Sequence, residues 1–580
     1  MNKLHDILGR VQKPARYIGG EINSSGKTFS EEKVTFALAY PDLYEIGMSY
    51  LGLKIIYHLL NEMDDCVCER VFAPWNDMES ELLSSGVKLF SLGSKTEIRK
   101  FDVLGFSLSY ELTFTGALNM LHLSGITLRA EDRKEDEPFV IAGGACCYNP
   151  EPMAEFIDLF IVGDAEEIMP RFIREYKVLK KKKMARKKKL KILSRLPGVY
   201  VPSLYEAEYL DDDFLKLAPK DEDAPLKVKK VYVEDLDKTY YPERQIVPFI
   251  NIVHDRIAVE IMRGCPNSCR FCQASAVNRP VRLRSRETIK NICENTYRHT
   301  GYEQISLLSL SSVNYPHLEG LVRDLTEIFK EKGVGLSIPS LRVDESFYRL
   351  PEMISTIRKA GLTFAPESAD EVIRNSIGKN IDNEILCKSA RLAFEHGWRK
   401  LKLYFMVGFP LDDKEEAEKI LILAKKLSNI KKDVSKGPAE INLSVNPFVP
   451  KPHTPFQWLG MQPREVLKRK KRMLLEGAGK KIKMAFHDID RSILEGCLSR
   501  GDRRLSKVIH AAWKKGARLE GWNEFFKFSV WEESFKENDL NINEISTRSF
   551  SPNDPLPWGH IDTGSNGKYL EKELEKSGLQ

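Results

Sequence analysis

The chain has 580 residues, a net charge of +6 from 89 Lys and Arg against 83 Asp and Glu, and 42% hydrophobic residues. That length supports three or four packed domains, the apolar fraction suffices for their cores, and so mild a charge selects no class of partner. No apolar run approaches the roughly eighteen residues that cross a bilayer, and ten cysteines with no secretory leader suit a reducing compartment, so a disulfide scaffold is excluded and a soluble cytoplasmic protein is expected.

Residues 1–175 read as one α/β unit. Val34-Thr-Phe-Ala-Leu-Ala39 is a buried strand closed by Pro41-Asp42, and a helix pattern runs from Tyr50 to Leu60. Further apolar runs, Val103–Ser109, Phe139–Gly144 and Leu159–Glu166, end in small or polar residues. Such strands suit a doubly wound, Rossmann-like sheet with a ligand crevice at its carboxyl edge. No G-x-G-x-x-G opens a helix, so a dinucleotide is not indicated. Residues 176–245 read as a basic linker and connecting segment, with Lys180–Lys183, Arg186, Lys187–Lys189 and Lys191 in one run. A like-charge block is a solvated face or a phosphate-binding surface, and this one lacks the interleaved aromatics that base stacking needs.

Residues 246–488 alternate apolar runs with amphipathic patterns. Strands are expected at Ile257–Met262, Ile305–Leu310, Gly335–Ile338, Leu362–Ser368, Lys400–Val407 and Glu440–Asn446, with helices over 285–299, 316–332, 346–360, 383–396 and 413–428. Six parallel β/α units predict a barrel, whose chemistry belongs at the carboxyl ends of its strands. Residues 489–580 combine helix patterns with Trp513, Trp522, Phe525, Phe526 and Trp531. A small, mostly helical region is expected, its aromatics a packing interface or a cap on the open end of the barrel.

The first barrel strand leads into Arg263-Gly-Cys-Pro-Asn-Ser-Cys-Arg-Phe-Cys-Gln273. Cys265, Cys269 and Cys272 stand at C-x3-C-x2-C spacing on one loop. Three thiolates with no fourth cysteine can hold a four-iron four-sulfur (4Fe-4S) cluster and leave one iron open to a substrate. Structural zinc wants four ligands in pairs, and the nearest outsiders, Cys293 and His299, form no pair.

This loop, with aromatic Phe271 just before its last cysteine, resembles the radical S-adenosylmethionine (SAM) superfamily. The resemblance implies a partial (β/α)6 barrel in which Cys265, Cys269 and Cys272 bind the cluster, SAM chelates the open iron, and electron transfer cleaves it to a 5′-deoxyadenosyl radical. It also implies SAM contacts from Phe271, from Ser309, Ser311 and Ser312 after strand two, and from Ser340 and Arg342 after strand three. Glu367, Ser368, Arg374 and Lys379 would serve the ribose and carboxylate, and Gly408 would let backbone approach the adenine. The usual glycine pair after strand two is replaced here by serines. Asn446-Pro-Phe-Val-Pro-Lys-Pro-His-Thr-Pro455 resembles the proline-rich segment of methylthiotransferase-like and cobalamin-linked members.

The first unit resembles the cobalamin (B12)-binding domains of such proteins. Their Asp-x-His-x-x-Gly, Ser-x-Leu and Gly-Gly elements correspond to Asp42-Leu-Tyr-Glu-Ile-Gly47, Ser107-Leu-Ser109 and Gly143-Gly144. The resemblance implies cobalamin contacts at Asp42, Gly47, Ser107, Ser109, Gly143 and Gly144, but Tyr44 stands where the cobalt-ligating histidine would be. The whole chain, through Ser499-Arg-Gly-Asp-Arg-Arg504 and Leu556-Pro-Trp-Gly-His-Ile-Asp562, resembles a bacterial family of B12-binding-domain radical SAM proteins. Three functions follow as expectations: a cobalamin-dependent carbon methyltransferase; a cobalamin-independent radical enzyme modifying RNA or protein by thiolation, rearrangement or oxidoreduction; or a non-catalytic iron–sulfur sensor or scaffold. An electron donor such as flavodoxin or ferredoxin is the expected partner of either enzyme, with RNA or a ribosomal component as an optional macromolecular substrate.

Overall fold

A computed structural model of the chain describes residues 2–210, 213–220, 224–339, 362–410 and 415–579. The expected helix over 346–360 and the expected site residues Ser340 and Arg342 lie outside the described residues.

The amino-terminal sheet has six strands, β1 Val34–Tyr40, β2 Cys66–Phe72, β3 Val103–Ser107, β4 Phe139–Gly143, β5 Leu159–Ile161 and β6 Val199–Tyr200, in the order β2-β1-β3-β4-β5-β6. All pairs are parallel except β5 with β6. Every residue of β1 and β2 is buried, as expected of a parallel sheet covered on both faces. Helices Leu51–Glu62 and Ala165–Lys181 cover one face through Leu53, Leu60, Ile168 and Phe172. The chain reverses direction across the sheet between β1 and β3, the place where doubly wound folds open a crevice beyond their strands.

The basic run differs from the linker expected. It lies at the end of helix Ala165–Lys181 and on helix Arg186–Leu193. Arg186 is buried and paired with Asp158 at 2.6 Å, and Lys180 meets Asp102 at 2.8 Å. Acids supplied by the sheet thus turn part of the charge block inward, while Lys181–Lys183, Lys187 and Lys188 stay exposed.

The barrel region contributes β7 Ile257–Glu260, β8 Gln304–Leu308 and β9 Gly335–Ser337 in one parallel sheet, and β10 Leu362–Glu367, β11 Lys400–Val407, β12 Glu440–Pro447 and β13 Ile482–Phe486 in another. Strand β13 is additional to the six expected. Its exposed Lys483 and half-buried Met484 interrupt any apolar run, and only its pairing with β12 reveals it. Along β11, Leu401, Leu403, Phe405 and Val407 are fully buried under the helices, whereas the residues between them are not. The inner side of these strands is therefore left for something other than core.

The carboxyl-terminal region is mostly helical, and its aromatics pack on the amino-terminal unit rather than over the barrel mouth. Trp75 meets Trp522 and Phe525 edge-on at 5.5 and 4.9 Å, and Trp513 Nε1 donates to Asn119 Oδ1 at 3.3 Å. The second face of the amino-terminal sheet carries its own apolar stripe, from Met78, Leu118 and Leu121, which the tail residues Ile493, Val508 and Trp531 cover.

Candidate active site

The cysteine loop is shaped from three sides. Gly264, at φ +85°, turns the chain out of the first barrel strand where a side chain would strike the carbonyl of Asn278. Cys272 caps helix Gln273–Val277, its Sγ accepting from Ser275 N at 3.4 Å. Arg270 N donates to Ile377 O at 2.9 Å, and Gly378, at φ +72°, lets the segment after β10 pass against Ser268. Cys265 is buried, Cys269 and Cys272 half-buried. Burial pushes the Cys272 thiol up to about 11; Cys269 and Cys265 push the same way, while Lys379 pulls it down. The Lys379 charge therefore reaches the loop electrostatically, although among the described residues the three thiols are not drawn into a closed metal-binding cluster.

Cys293 and His299, the outside ligand candidates, lie on one helix of the barrel region. Cys293 is buried in the barrel core, where desolvation holds its thiol up at about 12, and His299 is exposed at the far end of its helix.

Two residues not singled out in the sequence belong to this site, one within the loop and one after β8. Asn267 Nδ2 donates to Cys265 Sγ at 3.3 Å and to Asn314 Oδ1 at 3.0 Å. Ser311 Oγ donates to the same Asn314 oxygen at 2.7 Å. The end of β8 is thereby fastened to a candidate sulfur ligand, and an N–H donor beside that sulfur is of the kind that sets ligand orientation and cluster potential. Only a contact between positions 47 apart identifies Asn314, so no local signal could have found it.

The other residues expected to serve SAM divide into two groups. Ser309 reaches the cavity described below and lies 3.0 Å from Ser312 Oγ. Lys379 pairs with Glu367 at 2.9 Å; Glu367 ends β10 at a bulge with φ +67°, a conformation a non-glycine residue holds at a cost of about 1–3 kcal/mol. The remaining positions have evident packing duties. Ser368 is buried and accepts from Asp370 N at 3.1 Å, Arg374 is buried with its Nη2 donating to Asn383 at 2.7 Å, and Phe271 packs beside Ile373, Phe409 and Phe448. Gly408, at φ +88°, donates its N–H to Glu416 at 3.0 Å, and a side chain there would meet Leu467.

A cavity of about 540 Å3 joins this loop to the amino-terminal sheet. Ser107, Gly143, Gly144 and Gly163 line it from the carboxyl ends of β3, β4 and β5. Glu260, Arg263, Ser309 and the first turn after Cys272 line it from the barrel. The two sides are bolted together by charge. Arg263 meets Glu166 at 2.7 Å, Glu260 at 2.8 Å and Asp164 at 3.2 Å, and Asp164 also takes Arg282 at 2.7 Å. Those carboxylates hold the Arg263 guanidinium firmly protonated.

Three residues expected at a cobalamin are not brought to that cavity. Asp42 Oδ1 accepts from Trp522 Nε1 at 2.9 Å, Gly47 is packed where a side chain would strike Phe72, and Ser109 Oγ lies 3.0 Å from Tyr40 OH. Tyr44 is fully buried, its phenol donating to Glu21 at 2.8 Å, and Glu21 forms a buried pair with Arg70 at 2.7 Å. Among the described residues, no histidine lines the cavity.

Strand-end chemistry on a β/α barrel, a three-cysteine loop after its first strand and a doubly wound unit facing it define a class. Residues 259–424 match the radical SAM superfamily and residues 52–202 the N-terminal region of radical SAM proteins. The chain belongs to the radical SAM superfamily and is an enzyme of that kind. Uncharacterized protein MJ0966 of Methanocaldococcus jannaschii is 28% identical over 481 residues, 82% of this chain and 90% of that protein. Uncharacterized methyltransferase PH0819 of Pyrococcus horikoshii is 26% identical over 203 residues, 34% of this chain and 43% of that one. Among solved structures, the radical SAM methyltransferase TsrM of Kitasatospora setae, with cobalamin and a 4Fe-4S cluster bound, aligns at a TM-score of 0.44 with 12% identity over 71% of this chain and 72% of TsrM. The cobalamin-dependent radical enzyme OxsB, with aqua-cobalamin bound, aligns at 0.47 with 12% identity over 94% and 80%. Among the described residues, no helix is long and apolar enough to cross a membrane.

Proposed function

We propose that Cys265, Cys269 and Cys272 hold a 4Fe-4S cluster that binds SAM, and that the junction cavity holds cobalamin, making the chain a carbon methyltransferase. The observation that carries this reading is the cavity itself, which runs from the carboxyl edge of a doubly wound sheet to the turn after Cys272. Bound there, these groups would supply reductive cleavage of SAM and a transferable methyl group. The chain's own part is to hold and exclude. Asn267 orients Cys265 through its N–H, Lys379 would exchange its Glu367 partner for the SAM carboxylate, and Gly143 and Gly144 keep the sheet edge free of side chains. The Arg263 network closes the junction against water. Tyr44 has no part in it, because its hydroxyl is spent on Glu21, so cobalt would carry no protein ligand from that position. The partial match to a Pyrococcus horikoshii methyltransferase agrees with the reaction class.

The chemistry calls for an electron donor of the flavodoxin or ferredoxin type, and the exposed lysines on 181–188 offer a face to an RNA or ribosomal substrate. One observation favours the cobalamin-independent reading: among the described residues, no imidazole lines the cavity. Anaerobic purification with cobalamin supplied, followed by iron, sulfide and cobalt analysis of one sample, separates the two. About four irons per chain is the content of one such cluster. Four irons with stoichiometric cobalt is expected; four irons without cobalt retires the methyltransferase.

A further inference from the structure

Away from the junction, a cavity of about 460 Å3 lies in the carboxyl-terminal region, between the turn after helix Ile489–Arg500, the segment from Arg548 to Pro557, and Phe214. Two stretches that carry no part of the reaction above, 499–504 and 556–562, both reach its wall. Arg500 is 2% exposed. Its Nη2 donates to Arg548 O at 2.9 Å, its Nη1 reaches Ser546 O only at 3.4 Å, and its Nε has no protein partner.

No carboxylate among the described residues pairs with Arg500. Asp502 on the same wall is taken by Arg504, with contacts of 2.8 and 3.2 Å, and Asp554 accepts from Ser551 N at 2.7 Å. A buried cation without a counter-charge is costly. The helix carboxyl end and the Phe550 ring, 4.9 Å from the guanidinium, offset part of that cost. Burial nonetheless draws the Arg500 pKa down to about 10. Arg504 and Arg548 stand on the same wall.

We propose that this cavity is a binding site for a small molecule bearing an oxyanion, a phosphate or a carboxylate, with Arg500 as its principal contact. A guanidinium presents paired N–H donors that match such a group, and the volume falls within the roughly 300–1,000 Å3 of small-molecule sites. The proposal is independent of the cluster and of cobalamin.

The test is thermal unfolding and calorimetric titration of the full chain with inorganic phosphate, pyrophosphate and acetate, each against sodium chloride at equal ionic strength. A rise in midpoint with the phosphates alone assigns a phosphate ligand, and a rise with acetate as well assigns a general oxyanion; either supports the site. Arg500→Gln is expected to weaken binding at least tenfold. Should that variant not fold, Arg500→Lys keeps the charge, loses the fork, and is expected to weaken binding to a similar extent with an unchanged midpoint in chloride. Phosphate and acetate acting no differently from chloride, or either folded variant binding like the parent, overturns the proposal. A variant that merely lowers the midpoint while the anion effect persists assigns Arg500 a packing role and overturns it too.

Discussion

At the scale of single residues, the thiols and the glycines of the cavity edge make separate predictions. Cys269→Ala removes one of three proposed ligands and is expected to abolish the brown chromophore and SAM cleavage, measured as 5′-deoxyadenosine; a full four-iron complement in that variant would falsify the ligand assignment. Gly143→Leu is the cleaner probe of the cavity. A Cβ there meets only Ile161, at an ordinary 3.8 Å, so the rest of the side chain extends into free space. Cobalt content is expected to drop at least tenfold while the iron content is kept, and unchanged cobalt would move the site elsewhere. Gly144 cannot serve the same purpose, because at φ +113° its Cβ would lie 2.6 Å from the carbonyl of Leu108 and would break the strand end. The cysteines were legible because their chemistry depends on a spacing of a few residues. Tyr44 was legible only as a departure from a pattern; that its phenol faces Glu21 and Arg70 depends on partners 23 and 26 residues away along the chain.

At the scale of elements, the helical tail carries a buried acid whose titration can be followed. Trp531 Nε1 donates to Glu520 Oε2 at 2.7 Å, while Oε1 has no partner. Burial raises the carboxyl from 4.5 to about 7. The folded state therefore holds a proton that the unfolded chain has already lost. This stabilising contribution is complete below about pH 4.5 and disappears as the pH rises through 7. Its full size is about 3 kcal/mol at most. Glu520→Gln keeps the acceptor without the charge, so relative to the parent it is expected to gain stability between pH 5 and 8. Buried His453 and His560, drawn down to about 4, slope the opposite way but are common to both proteins. Urea midpoints across that range check this, and a difference that does not grow with pH would place the acid in water. Most strands and helices were legible from apolar period. Strand β13 was not, since one exposed lysine and one half-buried methionine conceal it until β12 lies alongside. The basic run was legible as charge and misjudged as a linker, because Asp158 and Asp102 draw its cations onto the sheet from elsewhere in the sequence.

At the scale of the whole molecule, one lysine ties three regions together. Lys451, from the proline-rich loop after β12, is half-buried between Glu111 of the amino-terminal unit at 2.9 Å and Glu495 of the tail at 2.8 Å. Tyr110 OH donates to Glu495 at 3.2 Å. Removing the central cation leaves two largely desolvated carboxylates facing one another, a loss of about 1–3 kcal/mol. Lys451→Met is expected to lower the unfolding midpoint by that order and to separate a single transition into two. One unaltered cooperative transition would show that the junction is held chiefly by Arg263 and its acids.

The sequence by itself determined the cysteine loop, the alternation that builds a barrel after it, and a doubly wound unit before it, because each rests on spacings of two to seven residues that no distant contact can alter. Only the tertiary structure decided that the sheet edge and the cysteine loop share one cavity, that Asn314 reaches Asn267 beside Cys265, and that the tail's tryptophans cover the amino-terminal sheet. Those depend on which surfaces remain apolar or uncompensated once every element has formed, and that is a property of the packed chain rather than of any stretch of it.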